Sequence, residues 1–300
     1  MQLSDWSVLL LLLKIVSYLA IAALAGCLLM RLLNNESTTP DTQLSCFNRY
    51  LKRWQITLVM VGFIGAILQI PIEAGAMAES GFAGMIDPFM LDIIWQSVIG
   101  EQVSMRVPAF IIALFAVCTW RTHSNSANVA NFVITLLALI ILTYSFTLTG
   151  HSAEKGLLIK SILTLHLIAI ASWIGSLWPL YKSCQLLSLN TIKHLMERFG
   201  QLAIIIIAVL LISGITLLWQ YLNSFSVLFT SNYGQLIMLK LLLVSAMLLL
   251  GAWHKLRLVP QITQQHHVVT LKRSISVEML IAVCVLLTTS VFTTLVGPPV

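Results

Sequence analysis

The chain has 300 residues, of which 58% are hydrophobic and only 9% charged, and its mean hydropathy is +0.94. Soluble domains carry about a quarter charged residues, so the composition excludes a soluble fold and defines an integral membrane protein. The formal net charge of +6 is no sign of nucleic-acid binding, because the basic residues fall where they mark topology.

Apolar runs long enough to cross a bilayer, about 20 residues each, lie near 7–33, 54–72, 103–121, 130–149, 157–181, 200–222, 234–254 and 275–296. They predict an all-α polytopic membrane protein, a bundle of eight transmembrane helices, with residues 1–300 forming a single membrane domain. The connections are too short for a separate catalytic domain, and no enzyme is expected. In the first run, Leu24-Ala25-Gly26-Cys27 looks like a lipobox, the cleavage site before a lipidated cysteine. A signal peptide needs a positively charged leader. This segment instead has Asp5, Lys14 interrupts its apolar stretch, and apolar sequence continues through Leu33. An uncleaved span is expected.

The first loop is flanked by Arg31, Arg49, Lys52 and Arg53. The second, 73–102, is the longest and carries Glu73, Glu79, Asp87, Asp92 and Glu101 without any Lys or Arg. Within it Asp87-Pro88 reads as a helix start, Asp as N-cap and Pro at the first helical position. Phe89, Met90, Ile93, Ile94 and Val98 then recur at helical spacing, which predicts a short amphipathic helix at the outer face. Arg121 opens the third loop; Lys182, Lys193 and Arg198 lie in the fifth, and Lys255, Arg257, Lys272 and Arg273 in the seventh. Cytoplasmic loops collect Lys and Arg, so both termini are expected in the periplasm. Tryptophans follow the same division, Trp6, Trp95 and Trp219 at outer ends and Trp54, Trp120, Trp178 and Trp253 at inner ends. The five cysteines form no C-x-x-C pair and none falls in an outer loop, so no disulfide framework is expected.

His166 lies about ten residues into the apolar fifth run, HLIAIASWIGSLWPL, and His151 follows TLTG at the mouth of the preceding span. An ionisable ring at membrane depth is retained where it meets a partner, a water-filled path or a ligand. A ring bonded to a neighbouring backbone carbonyl is the structural alternative for His166, and an interfacial cap that for His151. At 1.5 Å of rise per residue the two are offset by up to about 13 Å, so successive stations fit better than joint ligation of one ion. Trp173, seven residues after His166, shares its face; it could floor a pocket or simply pack between helices. Met85 and Met90 in the outer loop, Met105 at the start of span three and Met238 early in span seven place thioethers on the outer side. Thioethers and imidazoles are copper ligands.

Asp87 and Asp92 could attract a cation at the mouth, and Arg106 and Lys240 could shape the field below it. Snorkelling, with salt bridges to the loop, is the plainer account of these charges. Glu278, close in sequence to Lys272 and Arg273, is expected to form a local ion pair, and the His266-His267 pair to lie in a solvated loop. No phosphate loop, nucleophile elbow or H-E-x-x-H is present.

Several segments, taken in order, resemble the copper resistance protein D family (CopD/PcoD) of eight-span bacterial inner-membrane proteins. TLTGHS at 147–152 is similar to the family's L-T-G-H-A, and HLIAIASWIGSL at 166–177 to its H-x6-W-x-G-x-L. RFGQLAIIIIAVLLISGIT at 198–216 resembles its R-F-S…T-G stretch, with Gly200 for the usual Ser. YGQLIMLKLLL at 233–243 resembles Y-G-x-L-x-x-K; LRLVPQI and RSISVEM…PP follow in family order. Gly100 and Arg106 resemble a G-x5-R segment. The likeness is strongest over 145–300, and His254 stands where the family often has Asn.

The resemblance implies copper handling at the cytoplasmic membrane, with import from periplasm to cytoplasm. Some relatives carry a fused copper-binding β-domain that is not seen here, so it also implies a separate periplasmic copper-carrier protein as partner. Outer methionines and carboxylates would concentrate the ion, His151 would receive it and His166 would pass it on. Two other classes stay open: a membrane haem b electron-transfer protein, in which His151 and His166 would be axial ligands, and a non-transporting copper sensor or assembly factor.

Overall fold

A computed structural model describes residues 5–34, 42–78, 81–120, 125–221, 231–291 and 293, with the side chains of 34, 125–127, 151, 221, 232 and 233 left aside. The described residues are almost wholly helical: α1 Asp5–Asn34, α2 Thr42–Ala78, α3 Pro88–Trp95, α4 Val98–Thr119, α5 Asn125–Tyr144, α6 Leu157–Leu186, α7 Leu189–Tyr221, α8 Asn232–Trp253 and α9 Gln265–Val291. All except α3 are long and apolar enough to cross a membrane. A helix is the natural result, because it satisfies every backbone polar group internally where no water can.

Several helices outrun their apolar stretches. α2 begins at Thr42, α7 at Leu189 and α9 at Gln265, each well ahead of the hydrophobic run. The polar residues there, Arg49 and Lys52 among them, are good helix formers whose heads reach water. Hydropathy reports the solvent around a segment, whereas helix hydrogen bonding continues past that boundary. On the other side, α5 stops at Tyr144 and passes into short 3₁₀ turns at Ser145–Thr147 and Gly150–Ser152.

The Lys14 ammonium reaches the Thr293 carbonyl at 3.3 Å, so the start of α1 and the end of α9 share one end of the bundle. α3 and the acidic loop lie at this acidic end, where Trp6 and Met85 crowd Gly75 near the end of α2. The opposite, basic end carries the Arg- and Lys-rich connections.

α1 runs through the middle, packed on α2, α5, α6 and α9. Its crossing with α6 is a backbone contact: a Cβ on Gly26 would lie 2.1 Å from the Gly175 carbonyl carbon, and one on Gly175 would lie 1.7 Å from the Ala22 oxygen. Small residues let membrane helices approach this closely. Gly175 stands about half a turn around α6 from both Trp173 and His166, at 100° per residue. Pinning one face of α6 to α1 therefore turns the other face, with the histidine and tryptophan, toward α7, α8 and α9. Trp173, Leu177, Met247, Ala282 and Val285 form the apolar core between those helices. α7 and α8 are the least covered spans, and most of their surface faces outward.

Candidate functional site

Among the described residues, buried polar groups recur along the bundle. At the acidic end, Arg106 on α4 is only 5% exposed. Its Nε donates to the Ser145 hydroxyl at 2.9 Å and its Nη1 to Gln69 Oε1 at 2.9 Å. The Gln69 amide donates to Gln102, whose own amide donates to the Ser145 carbonyl at 2.8 Å. The guanidinium also sits 4.3 Å from the centre of the Phe146 ring. Salt bridges to the loop carboxylates were the plainer expectation for this residue. The structure holds it on neutral oxygens and an aromatic face instead, since burial favours short, fixed partners over exposed carboxylates. Asp87 is occupied as the N-cap of α3, accepting from the Phe89 amide at 2.9 Å, and Asp92 accepts from Gln96 at 2.7 Å.

Deeper along α6 comes His166, buried and about 14 Å below the helix start at 1.5 Å per residue. Its Nδ1 lies 2.8 Å from the Ser213 hydroxyl of α7. That hydroxyl points its own hydrogen at the Val209 carbonyl, 2.5 Å away. Its oxygen therefore accepts, Nδ1 carries the ring proton, and Nε2 keeps its lone pair. The Leu210 carbonyl, 3.3 Å from the same hydroxyl, also bonds the ring. Gly214 makes room for the ring, as a Cβ there would stand 3.2 Å from His166 Cε1. Lys240 of α8 lies within electrostatic reach of the imidazole.

Two turns further, the Trp173 indole donates to Glu278 Oε1 at 2.7 Å. Glu278 Oε2 is 3.3 Å from His254 Nδ1, and His254 Nε2 is 2.7 Å from the Ser274 hydroxyl. Gly251 packs on the indole, with 3.3 Å between a Cβ there and Trp173 Cζ2. This chain corrects the local ion pair expected for Glu278. Because α9 begins at Gln265, Glu278 falls mid-helix and is 2% exposed. Lys272 instead lies 5.0 Å from the Tyr181 ring centre. His254, just past the end of α8, bridges that helix to α9. No sequence signal joins Trp173 to Glu278, which are 105 residues apart.

Met85 packs on Gly75, Met90 and Met105 are half-buried, and Met238 is 40% exposed. His151 occupies the 3₁₀ turn Gly150–Ser152, and its side chain lies outside the described residues. Among the described residues no three His, Cys, Asp or Glu side chains converge as a metal cluster. The five cysteines are free thiols.

The fold and these groups define a multi-pass helical membrane protein with polar stations buried between its spans. Residues 3–160 match the model described as copper resistance protein D-like, N-terminal domain, and residues 193–292 the model of copper resistance protein D. The chain belongs to the copper resistance protein D family. It is similar to the copper transport protein CutJ of Bacillus subtilis (strain 168), 26% identical over 256 residues. That alignment covers 80% of this chain and 46% of the relative, so the chain spans about half the length of the relative it matches. No solved structure matches the chain.

Proposed function

We propose that this protein moves copper across the bacterial inner membrane, from periplasm to cytoplasm, and so contributes to copper homeostasis. The observation that carries the reading is the His166 imidazole, buried in α6 and held by Ser213 and Leu210 of α7, with Nδ1 the nitrogen that meets the Ser213 hydroxyl. Neutral imidazole with a fixed tautomer is what a transition metal requires, and the family and CutJ's printed function make copper the metal of choice. In this reading the acidic end faces the periplasm, which the distribution of Lys and Arg supports. A periplasmic copper carrier delivers the ion to Met85, Met90, Asp87 and Asp92. His151, Met105 and Met238 receive it, and His166 passes it inward above the floor made by Trp173. Arg106 and Lys240 set the field and bind no metal.

The test is copper uptake into cells or proteoliposomes at equal membrane abundance, wild type against His166→Ala. Uptake by the wild type and its loss in the variant support the path through His166. If neither moves copper, transport is wrong, and the metal and haem content of the purified protein decides between a copper sensor and an electron carrier.

A further inference from the structure

Beyond the Trp173 floor, the chain that continues through Glu278, His254 and Ser274 has no role in the copper path just proposed, yet it places a carboxyl group mid-helix, where burying an ionised group is expensive. Such a group persists only with partners that can take up its charge. Glu278 has two: a single neutral donor, the Trp173 indole at 2.7 Å, and an imidazole at 3.3 Å. One proton shared between Oε2 and Nδ1 leaves the pair neutral overall, either as acid and imidazole or as carboxylate and imidazolium.

We propose that Glu278 and His254 form a proton-binding site inside the bundle, loaded from the basic end, and that copper movement is coupled to its protonation. The coupling rests on the transport reading above; the proton site does not. Three features support the route. His254 is the more open of the two, its side chain 14% exposed against 3% for Glu278. Its second nitrogen meets the Ser274 hydroxyl, which can both accept and donate, so the ring can take a proton at one nitrogen and release one at the other. His254 also opens a π-helical turn, His254–Leu258, closed by the Val259 amide on the His254 carbonyl at 2.9 Å. Such turns insert an extra residue into a helix and are frequent at functional sites. Here the turn carries Lys255 and Arg257 and so lies at the basic end.

Among the described residues, the charged groups on the neighbouring elements are directed elsewhere. The elements packed on α9 are α8, its π turn, α6 and α1. From the π turn, Lys255 donates to the Gly200 carbonyl at 3.1 Å, and Arg257 follows His254 toward the basic end. On α8, Lys240 lies far toward the acidic end, near His166. On α6, Lys182 turns to Gln185 and the Trp178 ring, while Cys184 belongs to the apolar core at the basic end. On α1, Lys14 reaches Thr293 and Arg31 lies over Trp120. α9's own Lys272 sits over Tyr181, and Arg273 follows it in the same turn.

The step balances. The Glu278 O–H bond breaks, an N–H bond forms at His254 Nδ1, and the proton on Nε2 passes to the Ser274 side and out at the basic end. A cation arriving at His166, two turns along α6 from the Trp173 indole that bonds Glu278, repels that proton through a medium of low polarity. Entry of one Cu(I) at one end and exit of one proton at the other then keep the charge inside the bundle constant.

Infrared titration of the full chain in nanodiscs tests the site without any need for transport. A protonated-carboxyl band should grow as the pH falls, disappear in Glu278→Gln, and shift its midpoint in His254→Asn, a polar replacement of similar size that cannot take up a proton. Copper uptake into proteoliposomes, with the basic-end pH varied, tests the coupling. The wild type should respond to that pH and Glu278→Gln should lose the response. A band that does not titrate, or that survives in Glu278→Gln, overturns the proton site. A titrating band with uptake equally pH-independent in both proteins overturns the coupling. If the wild type moves no copper, the transport reading and the coupling fall together, and the infrared result alone decides the proton site.

Discussion

Ser213 decides which nitrogen of His166 can meet a metal. Its hydroxyl hydrogen is committed to the Val209 carbonyl, so it can only accept from Nδ1. Removing such an orienting partner costs about 10–100-fold in metal affinity in known sites. Ser213→Ala should therefore weaken Cu(I) binding by about tenfold, measured by competition with a chromophoric chelator, while the protein stays folded. Affinity equal to the wild type would mean that His166 does not bind the ion through Nε2. His166 itself was legible in the sequence, because an imidazole inside a long apolar run stands out at once. Ser213 was not, since membrane helices carry many hydroxyls and most simply bond the carbonyl one turn back. Glu278 was visible as a residue and misread as a site, because its partners come from two other helices.

Elements are positioned by contacts that hydropathy does not record. The α1–α6 crossing depends on Gly26 and Gly175 having no side chains, since a Cβ on either would overlap the opposite backbone. Backbone cannot yield as a flexible side chain does. Gly175→Val should therefore destabilise the bundle by about 1–3 kcal/mol or more, the usual cost of overpacking. It should also turn the His166 and Trp173 face away from α7 and α9. Gly156→Ala, at the start of α6, meets nothing within 4 Å and serves as the control. Thermal unfolding in detergent, followed by helical circular dichroism, should separate the two; equal midpoints would mean that the close crossing does not hold the bundle together. The importance of Gly175 could be read from sequence as a small residue beside Trp173, but its partner Gly26 could not. Helix existence was legible throughout, as each apolar run is long enough to exclude other spanning structures. Helix ends were not, because Thr42, Leu189 and Gln265 begin helices in polar sequence.

At the scale of the whole molecule, the direction of transport depends on which end faces the periplasm. Twelve of the seventeen basic residues fall in the alternate connections and their flanks, and the loop opposite has five carboxylates and no Lys or Arg. Basic residues close to helix ends resist translocation, whereas acidic ones contribute little, so the acidic end is expected outside. Two exposed positions test this. Cys46 lies near the start of α2 at the basic end, and Gln96 follows α3 at the acidic end. With the other four cysteines replaced by alanine, a membrane-impermeant thiol reagent should label Cys46 only after the cells are broken. With Cys46 also replaced, Gln96→Cys should be labelled in intact cells whose outer membrane has been permeabilised. The reverse pattern would turn the molecule over. Copper arriving from the periplasm would then meet Lys255 and Arg257 before any methionine or carboxylate of the acidic loop, and the inward direction proposed for it would fail on electrostatic grounds alone.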